Sequence, residues 1–397
     1  MYVTTVELTD FRNYAHAELE FVPGVNVLTG PNGHGKTNIV EAIAYLATLA
    51  SHRVAADGPL VRVGAMKAVI RARVVAGLDD QRTLMLELEV NPGSANRAQL
   101  NRVPQRRVRD LIGALRVVAF TPDDLAIVKG DPAERRDALD DIVTARWPRL
   151  AGVKGDYDKV IRQRNALLKA VCNRGGRLDG EAAATLDVWD EQLALLGADV
   201  MMARARTITD LEPHLVDSYA SIAPADSEAH AMYAPRQDAL RRLCDEPDAS
   251  VGDVAALLRE ALIDRRPDEV RRGVSLVGPH RDEIELTIGA LPAKGYASHG
   301  EAWSLALSWR LAAFHLLRAE AIEPVLILDD VFAELDSTRR DRLAAAVAPA
   351  EQVLVTAAVA DDVPSGLSGR RFAVYAGAVE LRDERPAPAD DEDGGEE

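Results

Sequence analysis

Eight consecutive residues, Gly30-Pro31-Asn32-Gly33-His34-Gly35-Lys36-Thr37, fit the pattern GxxxxGK[ST]. Glycines in that pattern let the backbone turn back on itself so that successive N–H groups face phosphate oxygens, and a helix starting at the lysine adds its positive N-terminal end. Lys36 is expected to reach the β and γ phosphates as a point charge, and the Thr37 hydroxyl to ligate Mg2+. Gly30, Pro31, Asn32, Gly33, His34, Gly35, Lys36 and Thr37 are thus the expected nucleotide-binding residues. Far along the chain, Val325-Leu-Ile-Leu-Asp329-Asp330 reads as an apolar strand ending in two carboxylates, a Walker B pattern. Asp329 is expected to hold Mg2+ through its water shell and Asp330 to polarise the attacking water. Lys36, Asp329 and Asp330 then form the catalytic set, and Thr37 and Asp329 the metal set.

The loop needs a strand before it and a helix after it. Val3, Val6 and Leu8, then Leu19 and Phe21, then Val25, Val27 and Leu28 are short β-rich runs separated by turn-like segments. Ile39, Ala42, Ile43, Leu46 and Leu49 recur at spacings of three and four, which predicts a helix over 36–50. Residues 66–75 and 82–90 alternate about a turn at 77–80 and predict an antiparallel hairpin, and 115–120 a further strand. From about 132 to 272 the pattern turns helical, with Trp189, Leu193, Leu196, Val200, Ile208, Leu211 and Leu215 on one seam. Strands are expected again at 274–277, 284–288 and 325–328, with a helix over 301–320 before the last of them. The expected organisation is α/β: a head built from 1–145 and 273–382, a helical lobe of 146–272 inserted in it, and a tail of 383–397 whose composition predicts disorder.

Lys36 and Asp329 stand 293 positions apart, too far for a compact Ras-like or kinase-like domain. Ala297-Ser298-His299-Gly300-Glu301 opens the helix that precedes the Asp329 strand and is similar to the signature loop of ABC-type ATPases. A serine hydroxyl, a glycine N–H and a fresh helix N-terminus can cradle phosphate, and in that class they serve the nucleotide held by the opposite subunit. Ser298 and Gly300 therefore join the expected nucleotide contacts, and nucleotide is expected to hold two copies together. The competing reading is an ordinary capping box between Ser298 and Glu301. Glu334-Leu335-Asp336 matches the D-loop of the same interface.

Taken together the motifs resemble the RecF family, relatives of SMC-class ATPase heads. They are LTDFRNY (8–14), PGVNVLTGPNGHGKTNIVEAI (23–43), SHR (51–53), FTPDDLAIVKGDPAERRDALD (120–140), LVGPHRDE (276–283), ASHGE (297–301) and LILDDVFAELD (326–336). The resemblance runs over nearly the whole chain. It implies an ABC/SMC-type P-loop ATPase head, ATP and Mg2+ as cofactors, and an ATP-dependent homodimer. It also implies binding to gapped or single-strand/double-strand junction DNA, and action with RecR and RecO in placing RecA on damaged DNA. Asp330 stands where transporter-type domains carry Glu, and Thr356-Ala357-Ala358 where they carry the switch histidine. Both point to slow hydrolysis, a weak DNA-stimulated ATPase. His299 and Ala302 depart from the Gln-rich signature loop, and Asp123 or Asp124 is the nearest Q-loop equivalent.

Composition fits a soluble globular chain with 47% hydrophobic and 28% charged residues. The longest run without Asp, Glu, Lys or Arg is 15 residues, Phe21 to Gly35, against the roughly 20 apolar residues of a spanning helix. With no leader pattern and only Cys172 and Cys244, the chain reads as cytoplasmic and reduced. The net charge of −16 conceals its distribution: residues 383–397 hold eight acids and one arginine, while Arg97 to Arg109 and Lys159 to Arg177 contain no acid. Those runs, with Arg135 and Arg136, are the candidate DNA contacts; charges balanced by nearby carboxylates are the alternative. With 18 aromatics, phosphate contacts rather than base stacking would dominate. A transporter ATPase would need a shorter interval between the two halves of the site, an SMC-like structural ATPase hundreds of heptad residues, and a small-molecule kinase would lack the Ser298–Gly300 loop.

Overall fold

The computed structural model describes residues 1–382, apart from 224–226, 245 and 247. The chain begins with β1 (Tyr2–Phe11), β2 (Tyr14–Glu20), β3 (Gly24–Thr29), α1 (Lys36–Thr48), β4 (Ala68–Val75), β5 (Thr83–Val90), β6 (Arg97–Leu100) and β7 (Val103–Pro104). There follow β8 (Val117–Phe120), α2 (Leu125–Lys129), α3 (Pro132–Arg146), α4 (Arg149–Asn173), α5 (Gly180–Ile222), β9 (Ala229–Ala234), α6 (Asp238–Cys244) and α7 (Val251–Arg272). Then come β10 (Glu283–Ile288), β11 (Leu291–Pro292), α8 (Ala293–Tyr296), α9 (His299–Ala319), β12 (Val325–Asp329), α10 (Ser337–Val347), β13 (Gln352–Ala357), β14 (Arg370–Tyr375) and β15 (Ala378–Arg382). They fall into two units, one of residues 1–43, 54–104 and 325 onward, the other of 44–53 and 105–324. The acidic tail lies outside the described residues.

The first unit holds two sheets. One is antiparallel, in the order β2-β1-β4-β5-β6-β7. Val6, Leu8, Ile70, Ala72, Leu86 and Leu88 are buried on one face, while Glu7, Arg71 and Glu87 pair across the other, with Arg71 bonded to both acids. This is the period-two alternation of a sheet covered on one side. The second sheet runs β15-β14-β3-β13-β12. β14, β3, β13 and β12 are parallel, and β12 and β13 are buried along their whole length, as parallel strands covered on both faces must be. Register brings the carboxyl ends level, Thr29 opposite Ala357 and Thr356 opposite Asp329. The buried Gln352 amide joins β1 to β13, accepting the Val3 N–H and donating to the Val3 carbonyl, each at 2.8 Å.

The second unit is organised on α5, a 43-residue helix that begins at an Asp179 cap and carries Pro213. Its buried seam, including Leu193, Met201, Ile208, Leu211 and Leu215, shares a core with Val254, Leu258 and Leu262 of α7 and Leu305, Trp309, Ala312 and Leu316 of α9. Two expectations fail here. Residues 132–272 are not helical throughout, because β9 pairs antiparallel with β10, Ala231 opposite Leu286. Residues 274–277 form no strand. The Ser275 N–H goes to Asn165 Oδ1 and the Leu276 N–H to Glu269 Oε1, each at 2.7 Å, so side chains take the donors a sheet would have used. This unit extends well beyond the 146–272 insertion expected from helical composition, since α3, β10 and α9 enter the same core. Among the described residues no helix is long and apolar enough to cross a membrane.

Candidate nucleotide site

The phosphate loop leaves the carboxyl end of β3 and enters α1, the place where parallel sheets present ligand sites. Two of its glycines are required by space as well as by conformation. At Gly30 (φ +155) a Cβ would stand 2.1 Å from the Val374 carbonyl oxygen, and at Gly35 (φ +117) one would stand 2.5 Å from the Tyr14 hydroxyl. The segment 8–14 braces the loop from behind. Asn13 donates to the His34 carbonyl at 3.2 Å and accepts from Asn38 at 2.7 Å. Arg12 bonds the buried Glu41 of α1, Nε to Oε2 at 2.9 Å. The Ala376 N–H donates to His34 Nδ1 at 3.0 Å. Pro31, Asn32 and Gly33 remain exposed at the tip.

Lys36 is 3% exposed. Its Nζ donates to the Gly30 carbonyl at 2.7 Å, the Pro31 carbonyl at 3.2 Å and Asn32 Oδ1 at 3.3 Å, so the charge is folded into the loop that would carry phosphate. Burial lowers its pKa below the ordinary lysine value, against the opposing fields of Asp330 and Asp329. Thr37 Oγ1 donates to Asp329 Oδ1 at 3.0 Å. The pairing suits Mg2+, which takes hard oxygen donors and keeps several waters, so that Thr37 could ligate it while Asp329 holds it through a bound water. A hydroxyl and one carboxylate are also the kind of donor set that Mg2+ accepts alongside phosphate oxygens and waters. Asp330, next in the chain, has left the strand conformation for a left-handed one (φ +55), and its N–H is held by Thr356 at both Oγ1 (3.0 Å) and the carbonyl (3.3 Å). Gly30 through Thr37, Asp329 and Asp330 are thus gathered at one edge of one sheet.

Ser298 and Gly300 belong to the other unit. Ser298 is exposed and caps α9: its hydroxyl accepts the Glu301 N–H at 3.3 Å, and Glu301 Oε2 accepts the Ser298 N–H at 2.8 Å. Hydrogen bonding of the Glu301 carboxylate to the Ser298 side chain and N–H holds that carboxyl below its usual pKa. Trp303 Nε1 donates to His299 Nε2 at 3.2 Å, fixing the residue that departs from the family loop. Asp336 caps α10 through the Arg339 N–H at 2.9 Å. Of the two Q-loop candidates, Asp124 is buried, accepting from the Thr121 N–H at 2.9 Å and Arg310 at 2.8 Å, whereas Asp123 is exposed.

The basic runs divide. Lys159, Arg162, Lys169, Arg174 and Arg177 are exposed, as are Arg97, Arg102, Arg106 and Arg107. Arg164 is not: its side chain is 0% exposed and bonds Asp190 Oδ1 and Glu269 Oε2, each at 2.6 Å, and Ser275 at 2.8 Å. Arg135 is likewise buried, with both arms on Glu283 at 2.8 and 2.9 Å. Arg136 donates to the Asp282 carbonyl at 2.8 Å and Arg109 to that of Gly152 at 3.3 Å. Arg135 and Arg164 therefore leave the set of candidate phosphate contacts. The sequence held that signal, since Arg164 continues the spacing of Tyr157, Val160, Ile161, Leu168 and Val171, the buried stripe of α4.

Residues 2–365 match the RecF/RecN/SMC N-terminal domain family. Along almost its full length the chain is similar to proteins called DNA replication and repair protein RecF. It is 52% identical to that of Cutibacterium acnes, over 96% of this chain and 98% of the relative. It is 53% identical to that of Streptomyces avermitilis, over 96% and 100%. The chain belongs to the RecF family. A solved structure of the recombination mediator RecF-ATPrS in the RecFOR pathway superposes with a TM-score of 0.84 at 25% identity, covering 96% of this chain and 98% of that one. An SMC head bound to the C-terminal winged-helix domain of ScpA, at TM-score 0.55 and 17% identity over 96% and 97% of the two chains, shares the fold alone. The chain thus has the ABC/SMC-type ATPase head fold, and its FRNY segment, noted in the sequence only as part of the resemblance, braces the phosphate loop.

Proposed function

We infer that this protein is an ATP-dependent, DNA-binding recombination mediator. The observation that carries the reading is the convergence of Lys36, Thr37, Asp329 and Asp330, from two segments 293 positions apart, at the level ends of β3 and β12. Loop N–H groups, the α1 N-terminus and Lys36 would hold the triphosphate of ATP, with Thr37 and Asp329 holding Mg2+. Mg2+ supplies charge neutralisation on the phosphates when bound. Asp330 would orient and polarise the attacking water, slowly, as its shorter side chain suggests. Ser298 and Gly300 would complete the nucleotide site of a second copy, so that ATP closes a homodimer and hydrolysis reopens it. The exposed Lys159, Arg162, Lys169, Arg174 and Arg177 would meet DNA phosphates, giving sequence-tolerant, salt-sensitive binding. Gapped or junction DNA is the proposed substrate, with RecR and RecO as partners and RecA loading as the outcome; similarity to a recombination mediator of the RecFOR pathway supports that setting. Lys36→Met tests the base of the reading: binding of a fluorescent ATP analogue should fall by at least about 100-fold, the loss of a charge-assisted clamp on phosphate. Unchanged affinity would remove the phosphate-loop assignment.

A further inference from the structure

Resting on that reading of the nucleotide site, we propose that Thr356 is a positioning residue whose single hydroxyl sets both Walker B acids, Asp329 for the metal and Asp330 for water. Thr356 is wholly buried near the end of β13, in register with Asp329 on one side and Leu28 on the other. A hydroxyl has one proton to give and two lone pairs to receive with. Here the proton goes to Asp329 Oδ1 at 2.5 Å and a lone pair receives the Asp330 N–H at 3.0 Å. One atom therefore orients the carboxylate of the first acid and anchors the backbone of the second.

Each bond has work to do. Asp329 Oδ1 accepts from Thr37 as well as Thr356; when Thr37 turns its oxygen to a metal, Thr356 remains to keep Asp329 in place. Asp330 occupies the left-handed region at φ +55, a conformation disfavoured for a residue with a Cβ. The two acceptors on Thr356 hold its N–H there, which fixes the backbone from which the Asp330 carboxylate departs. A β-branched side chain buried in a strand has restricted χ1 freedom, and both bonds of the Thr356 hydroxyl select one orientation. Thr356 therefore acts as a brace at the start of the Thr356-Ala357-Ala358 segment, which stands where transporter-type domains carry the switch histidine.

The test compares Thr356→Val, which keeps the shape and deletes the hydroxyl, with Thr356→Ser, which keeps the hydroxyl. Mn2+ binding to the nucleotide-loaded protein is followed by electron paramagnetic resonance, nucleotide binding in EDTA by fluorescence, and turnover alongside. Thr356→Val should bind nucleotide without metal within about twofold of wild type, while its Mn2+ affinity and its turnover fall about 10-fold or more, the usual loss when a partner behind a metal ligand is removed. Thr356→Ser should stay within about threefold of wild type in all three. Should Thr356→Val fail to fold, Thr356→Ala carries the same comparison. The role assigned to Thr356 is overturned if the hydroxyl-free variant binds Mn2+ like wild type, or if Thr356→Ser loses as much as Thr356→Val. A wild-type protein that binds no nucleotide would instead overturn the site itself.

Discussion

At the residue scale the proposed mechanism separates binding from turnover. In it Lys36 and the loop N–H groups would act on phosphate whether or not water is attacked, whereas Asp330 would act on the water. Asp330→Asn should therefore bind ATP within about threefold of wild type while phosphate release falls by about 100-fold or more, the contribution of a positioned general base. A single-turnover assay checks this; hydrolysis within a fewfold of wild type would move the water-activating role off Asp330. Most of this site is legible in the sequence because a phosphate loop is contiguous: Gly30 to Thr37 carry their own conformation and donors. Asp329 and Asp330 are legible because an apolar strand ending in acids is short and local. Thr356 shows in sequence only as part of Thr356-Ala357-Ala358, the segment standing where transporter-type domains carry the switch histidine, since its significance depends on the register of β13 against β12. Asn13 and Arg12 escape for the same reason, because their partners His34 and Glu41 lie 21 and 29 positions away.

At the scale of elements, periodicity locates helices and strands where apolar faces decide, and misses where side chains take backbone donors. The segment 274–277 has the composition of a strand, yet Asn165 and Glu269 satisfy its N–H groups from α4 and α7. β9 (AHAMYA) alternates buried and exposed residues correctly but lies between long helices, so its helical surroundings mask it. The most consequential misreading is α4, whose basic run reads as one phosphate-facing surface although Arg164 points into the core. With Asp190 and Glu269 at 2% and 0% side-chain exposure, Arg164 is the cation those carboxylates are folded around. Arg164→Met should destabilise the protein by roughly 3–5 kcal/mol, the cost of leaving a buried carboxylate without its cation. The shift of the urea unfolding midpoint measures it, and a loss below about 1 kcal/mol would show that the remaining partners, among them Arg266 at 2.7 Å from Asp190, satisfy both carboxylates. Salt dependence of DNA binding should instead follow the exposed Lys159, Arg162 and Lys169.

For the whole molecule, the parts of the site that the chain can assemble by itself are the phosphate loop and the two acids. Ser298 at the start of α9 makes a capping box within its own helix, and that role alone does not require a second copy. Membership of the RecF family and the ABC/SMC-type head fold supply the further expectation that the exposed Ser298 hydroxyl and the Gly300 N–H meet a nucleotide held by another copy. The measurement that bears most directly on this is sedimentation velocity of wild type and Ser298→Arg, each with and without ATP, Mg2+ and a gapped duplex. Wild type should shift from monomer to dimer when ATP is added, and bind the duplex as the dimer. Ser298→Arg should bind ATP with unchanged affinity and remain a monomer. A wild-type protein that stays monomeric with ATP and gapped DNA, or a Ser298→Arg variant that dimerises like wild type, would contradict it.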